Sequence, residues 1–210
     1  MRKLLSKFII VLFIAGFGAS VSAQQSKAHR GLFLRAVSGA AFSNSIMDNN
    51  NIEQKYSGAA GFFQAQVGWA LWDNLILFGS FDMMGMGEFD YYLDGEKQTL
   101  KGSEFKTNGV GAGVSYYFMP SNVYISLGFS RAETEFKFSG SDAEIESDNG
   151  WGSTLIVGKE WMLSDDWGLG VAGIFYYGVV PRGTSSMTNT YFGVAITGTF
   201  NTVESSFSIN

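Results

Sequence analysis

Eight stretches of the chain alternate, residue by residue, between large apolar side chains and small or polar ones, and this limits the possible folds more than any other feature. A period of two puts successive side chains on opposite faces of an extended strand. The stretches are about 31–42, 58–71, 75–86, 106–118, 123–130, 151–161, 167–177 and 190–200. The fifth is representative, with Val123, Ile125, Leu127 and Phe129 on one face and Tyr124, Ser126, Gly128 and Ser130 on the other. The first is the least regular, because Phe33 and Val37 share a face with Arg35 and Gly39; in the third, Ile76 and Phe78 break the pattern. Two prolines against 27 glycines, with 16 % aromatic residues, make a strand-rich composition with few breakers.

Alternation alone suits any half-buried strand, so the surroundings of the sheet are decided by which face is full. The second face is dominated by Gly, Ala, Ser, Thr and Gln with isolated charges. A soluble barrel needs bulky apolar side chains inside, and such a face cannot fill a dry core. The apolar face is therefore expected to meet lipid and the small face a narrow lumen. The predicted fold is all-β: an eight-stranded antiparallel transmembrane barrel, an up-and-down meander with long extracellular loops and short periplasmic turns. Beyond the first residues no apolar run reaches 18 positions, so the mature chain does not cross a membrane as a helix.

Connections of two lengths alternate. Trp72-Asp73-Asn74, Met119 to Asn122 and Leu163 to Asp166 read as short turns; 43–57, 87–105, 131–150 and 178–189 read as long polar loops, with a hairpin tip at Asp94-Gly95. Trp69, Phe118, Trp161, Trp167 and Phe200 fall near the short turns. Trp151 and Tyr177 fall towards the long loops, as do Phe42, Phe63, Phe81, Phe129 and Phe192. Aromatic rings are most stable at the two membrane interfaces, so these residues are expected to form two girdles.

The amino-terminal end reads as an export signal. Arg2, Lys3 and Lys7 form a basic start, Phe8 to Phe17 is a short apolar run, and Val21-Ser22-Ala23 supplies a small-residue cleavage site. The expected organisation is a cleaved signal over 1–23, a short periplasmic lead over 24–30, the barrel over 31–200 and a periplasmic tail over 201–210. Three of the 14 basic residues and none of the 19 acids lie in the first 23 positions, which leaves the remainder at −8, eleven positive charges against nineteen negative. That balance argues against nucleic acid as a partner. There is no cysteine, so neither a disulfide nor a thiolate site is available.

The stretches Tyr116-Tyr117-Phe118-Met119-Pro120-Ser121-Asn122-Val123-Tyr124 and Gly158-Lys159-Glu160-Trp161, with Ser164-Asp165-Asp166-Trp167-Gly168-Leu169-Gly170, resemble the small eight-stranded outer-membrane barrels of the OmpA/OmpX type. The resemblance covers almost the whole mature chain. It implies an integral protein of a Gram-negative outer membrane, monomeric, in contact with outer-membrane lipids and lipopolysaccharide, and inserted by the barrel assembly machinery. Such barrels often end on an aromatic residue that the machinery recognises; Phe200 fits that role, although Asn201 to Asn210 continue beyond it. Enzymes of this architecture need a His with Ser or Asp at the outer rim.

The single histidine, His29, precedes the first strand on the opposite side and reads as a solvated residue. Arg35, Asp82 and Glu160 point into the lumen by parity, where unpaired charges are costly; a cross-lumen pair between Arg35 and Glu160, acting as a plug, is expected. The acidic and amide-rich runs Asp48 to Asn51 and Asp142 to Asp148 lack an EF-hand spacing and read as solvated loops, and Met83, Met84 and Met86 as packing residues rather than a metal site. No catalytic, cofactor or metal residues are assigned. The leading functional expectation is a non-enzymatic barrel serving envelope integrity or meeting an extracellular partner through its loops. A narrow pore for small solutes is the alternative. An outer-membrane lipid-modifying enzyme and a soluble secreted barrel are the lesser ones.

Overall fold

The computed structural model describes residues 28–49, 52–87, 89–93, 95–100, 104–137, 144–183 and 185–202. The expected signal, its cleavage site and the chain beyond residue 202 lie outside the described residues, as do Asn50 and Asn51 of the first acidic run, Asp142 and Ala143 of the second, and Asp94 of the expected hairpin tip. Among the described residues eleven strands are formed: β1 (Leu32–Asn49), β2 (Ile52–Trp72), β3 (Leu75–Met86), β4 (Phe89–Leu93), β5 (Glu96–Leu100), β6 (Glu104–Phe118), β7 (Val123–Lys137), β8 (Glu144–Glu146), β9 (Gly150–Met162), β10 (Trp167–Arg182) and β11 (Ser185–Asn201). Eight of them close a ring. The antiparallel pairs run β1–β2, β2–β3, β3–β6, β6–β7, β7–β9, β9–β10 and β10–β11, and β11 returns to β1 with Phe33 opposite Asn201. The β4–β5 hairpin adds to β2 through Gln54–Leu93 to Ser57–Asp90, and β8 adds to β7.

Closure is helped by the short turns. Asn74 and Asn122 have φ of 68° and 53°, a left-handed conformation that asparagine tolerates better than other residues with a side chain. The backbone of each turn also holds the barrel wall. Asn74 O accepts from Tyr117 N at 2.9 Å, Asn122 O from Glu160 N at 3.1 Å and Asp166 O from Asn201 N at 2.9 Å.

All four of the expected long loops contain strand, with β4 and β5 inside 87–105 and β7 and β8 reaching into 131–150. The β1–β2 hairpin continues in unbroken register from Phe42–Ala59 to Asn49–Ile52, and β10–β11 continues to Arg182–Ser185. The reason is environmental. Past the level of Phe42 the outward face carries Asn44, Ser57 and Thr190, while the inward face mixes Ser43, Ser45 and Asn189 with Met47, Tyr56 and Met187, so the alternation that marks a strand fades.

The inward face is also fuller than strand-by-strand reading suggests. Phe33, Val37, Ile76 and Phe78, the breaks in the alternation, are buried inside, with Tyr117, Tyr124, Tyr176 and Tyr191. These rings fit because glycines face them. The Phe78 ring lies where a Cβ on Gly113 would be, 2.6 Å from Phe78 Cζ, and Tyr124 lies likewise against Gly158. Large against small is how an eight-stranded barrel fills its interior. Towards the hairpin end Met47, Tyr56, Phe89, Phe105 and Phe136 form an apolar core, with Phe105 and Phe136 edge to face at 4.8 Å. Met84 and Met86 are buried there, whereas Met83 faces outward.

The outward face is apolar and exposed. Leu34, Val67, Leu77, Val110, Leu127, Val171, Val194 and Ile196 all leave more than a third of their surface uncovered. A soluble protein rarely leaves a continuous apolar belt open around its whole girth. Trp69, Phe118, Trp161, Trp167 and Phe200 lie on this face beside the short turns, with the Trp167 and Phe200 rings 5.2 Å apart. Trp151 and Tyr177 lie on it nearer the hairpin end, 5.8 Å apart.

Candidate functional site

The polar part of the lumen is built from residues that strand parity turns inward. Arg35 of β1 is buried and packs its guanidinium over the Tyr124 ring, 3.9 Å from the centroid. Its Nε lies 3.4 Å from Glu160 Oε1 of β9, and both side chains are fully shielded from solvent. Nη1 donates to Ser126 Oγ at 3.1 Å and Nη2 donates to the Tyr117 hydroxyl. Glu160 in turn accepts from Tyr117 OH at 2.8 Å and Thr199 Oγ1 at 2.6 Å. A guanidinium and a carboxylate out of water need every donor and acceptor satisfied, and this arrangement comes close to that.

Asp82 of β3 is apart from that pair. Its carboxylate accepts from Gln64 Nε2 and, at 3.4 Å, from Ser80 Oγ. Gln64 Oε1 accepts from Gln66 Nε2 at 2.7 Å, and Gln66 Oε1 accepts from Arg35 Nη1 at 3.4 Å. Arg35 and Glu160 are thus in direct contact, and Asp82 reaches Arg35 only through two amides.

The short-turn end is closed by His29, which is 3 % exposed and not solvated as its sequence position suggests. Three asparagines surround it. His29 N donates to Asn74 Oδ1 at 3.0 Å, while the ring nitrogens Nδ1 and Nε2 lie 3.2 Å from Asn201 Oδ1 and 2.9 Å from Asn122 Oδ1. The ring stacks on Tyr117 with centroids 3.7 Å apart. Asn201 Nδ2 donates to the carbonyls of Arg30 and Leu32, both at 2.9 Å, so its oxygen must be the acceptor and His29 Nδ1 carries a proton. At Nε2 a neutral ring needs the Asn122 amide to present its NH2, and a protonated ring needs it to present its oxygen. Burial, helped by the nearby Arg35, holds the His29 pKa below its ordinary 6.5, against the opposing pull of Asn122 and Glu160. Outside the cap, Arg30 makes a bidentate pair with Asp73 at 2.8 and 2.6 Å, which keeps that exposed carboxyl below the usual range.

Sequence reading missed His29, its three asparagines and the two glutamines. Gln64 and Gln66 stand on the inward parity of β2, directly opposite Val37 and Arg35, and that register was the available signal. The asparagines come from two turns and a strand end, which no local pattern connects.

The fold matches that of Neisserial surface protein A, with a TM-score of 0.58 at 15 % identity over 84 % of this chain and 100 % of the other. It also matches the outer membrane protein OprG from Pseudomonas aeruginosa, with a TM-score of 0.55 at 10 % identity over 84 % of this chain and 99 % of the other. No family model matches the chain. No curated protein matches it in sequence.

Proposed function

We propose that this chain is a non-enzymatic integral protein of a bacterial outer membrane, whose barrel is closed along its lumen and whose role is envelope integrity or contact with an external partner. The observation that carries this reading is the inversion of the barrel: an uncovered apolar belt outside and a satisfied ionic cluster inside. On β11 the belt runs from Phe192 to Phe200. Eight residue-to-residue steps of ~3.4 Å, tilted by ~40°, span roughly 20 Å, close to the apolar height of such barrels. The aromatic residues at both ends of the belt are then the interface girdles, Trp69, Phe118, Trp161, Trp167 and Phe200 towards the periplasm and Trp151 and Tyr177 towards the outer leaflet and its lipopolysaccharide. Of the two barrels with the same fold, one is a surface protein and the other an outer membrane protein, which supports the location.

In this reading the short turns face the periplasm and the hairpin end faces outward. Arg35 and Glu160 act as a plug, the His29 cap covers them from below, and the apolar core around Phe105 and Phe136 covers them from above. Folding would depend on a signal peptide and the barrel assembly machinery, and the protein would act as a monomer. The competing reading is a narrow pore for small solutes. Two measurements test these ideas. Carbonate-washed membranes are expected to retain the protein, with heat-modifiable migration; release by the wash would overturn membrane insertion. In planar bilayers the wild type is expected to show no steady conductance. Steady openings that widen on Glu160→Ala would replace the plug with a gate.

A further inference from the structure

Among the described residues the buried charged side chains are Arg35, Asp82 and Glu160, with His29 at the cap. Arg35 already faces its own carboxylate, Glu160, at 3.4 Å. The amides of Gln66 and Gln64 pass some of that positive field on to Asp82, yet one guanidinium cannot neutralise two carboxylates. Asp82 is 6 % exposed and sits between the Arg35–Glu160 pair and the buried Met84 and Met86 of the same strand. A carboxylate at this depth needs a counter-charge, and a charge retained there points to function.

The wall beside Asp82 is glycine, with free hydroxyls over it. Asp82 pairs in register with Gly109. A Cβ on Gly109 would lie 3.1 Å from Ser130 Oγ and 3.4 Å from Asp82 Oδ2, so oxygens from two different strands converge on one point. Ser130 pairs with Gly152, and Gly152 with Gly178. The Tyr176 hydroxyl lies over those two glycines, 2.3 and 2.5 Å from where their Cβ atoms would be. Both Ser130 Oγ and Tyr176 OH are buried and have no hydrogen-bond partner. The donors are all oxygen, with a single negative charge. Such a set suits a hard monovalent ion rather than a soft transition metal. A divalent ion would call for a second carboxylate, and Glu160 is committed to Arg35, Tyr117 and Thr199.

We propose that Asp82, with the hydroxyls of Ser80, Ser130 and Tyr176, forms a lumenal site for a monovalent alkali cation, sodium or potassium. The site rests on the barrel fold and is independent of the role proposed for the protein in the envelope. Its neighbours on the short-turn side are Gln64, Gln66 and the Arg35–Glu160 pair, and on the other side the stacked rings of Tyr176 and Tyr191, 4.5 Å apart.

The test uses the protein purified from membranes in detergent. Thermal unfolding is followed by heat-modifiable migration in sodium, potassium or choline chloride at equal ionic strength and alkaline pH. Sodium or potassium is expected to raise the midpoint saturably above choline, and Asp82→Asn, which keeps shape and loses charge, is expected to lose that gain while still giving the folded band. Broadening of the sodium-23 resonance by the wild type, reversed by Asp82→Asn and weakened by Ser130→Ala, is the direct readout. Equal effects of choline and sodium, or a sodium response kept by Asp82→Asn, would overturn the site. So would a wild type indifferent to all three salts and stabilised only by acidification, since a proton would then be the counter-charge. If Asp82→Asn gives no folded band, the resonance decides from wild type and Ser130→Ala alone, and equal linewidths for the two would overturn the site.

Discussion

Arg35 and Asp82 stand at the two ends of a pair of side-chain amides arranged head to tail, in which Arg35 donates to Gln66, Gln66 to Gln64 and Gln64 to Asp82. Each amide turns its carbonyl towards the cation and its NH2 towards the carboxylate, so the dipoles align with the field between the charges. Cutting this line strands groups on both sides of the cut. Gln66→Leu is expected to cost about 1–3 kcal/mol for each buried group left without a partner. Gln64→Leu added to it should cost less than the sum of the two single changes, because both belong to one network. Urea unfolding of the three variants in detergent measures this; strict additivity would show that the amides act separately.

The direct pair answers differently. Arg35→Met leaves Glu160 buried without its cation and is expected to lose ~3–5 kcal/mol. Adding Glu160→Gln removes the orphaned charge, so the double variant should be more stable than Arg35→Met alone. The same unfolding assay decides, and a double variant less stable than the single would contradict the pairing.

At the cap the effect of pH has a definite sign. Burial keeps His29 below its ordinary 6.5 in the folded barrel, so the unfolded chain takes up a proton first as pH falls. Stability is therefore expected to decline on acidification from about pH 7.5 through the ordinary histidine pKa, and to level off once the folded ring is also protonated. His29→Gln should flatten that part of the curve. Unfolding free energies of the two proteins across this range test it, and a wild type that gained stability on acidification relative to the variant would reverse the reading.

On the outer wall, Val194→Arg places a charge in the middle of the apolar belt, and Thr190→Arg places one just beyond the Phe192 ring. In lipid bilayers the first is expected to cost ~2–4 kcal/mol and the second ~0–1 kcal/mol. Equal small costs at both positions, measured by unfolding from vesicles, would mean that the belt does not meet lipid.

The strands and their antiparallel order were legible because alternation is a local property, visible within ten residues of any position. What fills the barrel was less so. Phe78 lies over Gly113, and Tyr124 over Gly158, so volume is balanced between strands and not along any one of them. Averaging each strand made the inward face look empty when a few rings occupy it. The ends of β1 and β2 were hidden for a different reason: beyond Phe42 the outward face turns polar and the inward face mixes Ser43 and Ser45 with Met47 and Tyr56, so the alternation is lost and the segment looks like a loop. Parity alone turns Arg35, Asp82 and Glu160 inward, but their separations depend on how the ring closes, which no single strand encodes. His29 was misread because its partners Asn74, Asn122 and Asn201 are assembled only by closure.

The extension of β1, β2, β10 and β11 past the belt turns one side of the barrel into an upright, continuously paired sheet. Neighbours on its outer surface come from distant parts of the chain: Asn44 lies beside Ser57 on one flank and beside Thr190 on the other. Any protein docking on this side would meet a discontinuous relief and not one contiguous loop. A linear peptide copied from residues 43–57 would reproduce only part of that relief and would serve poorly as its mimic.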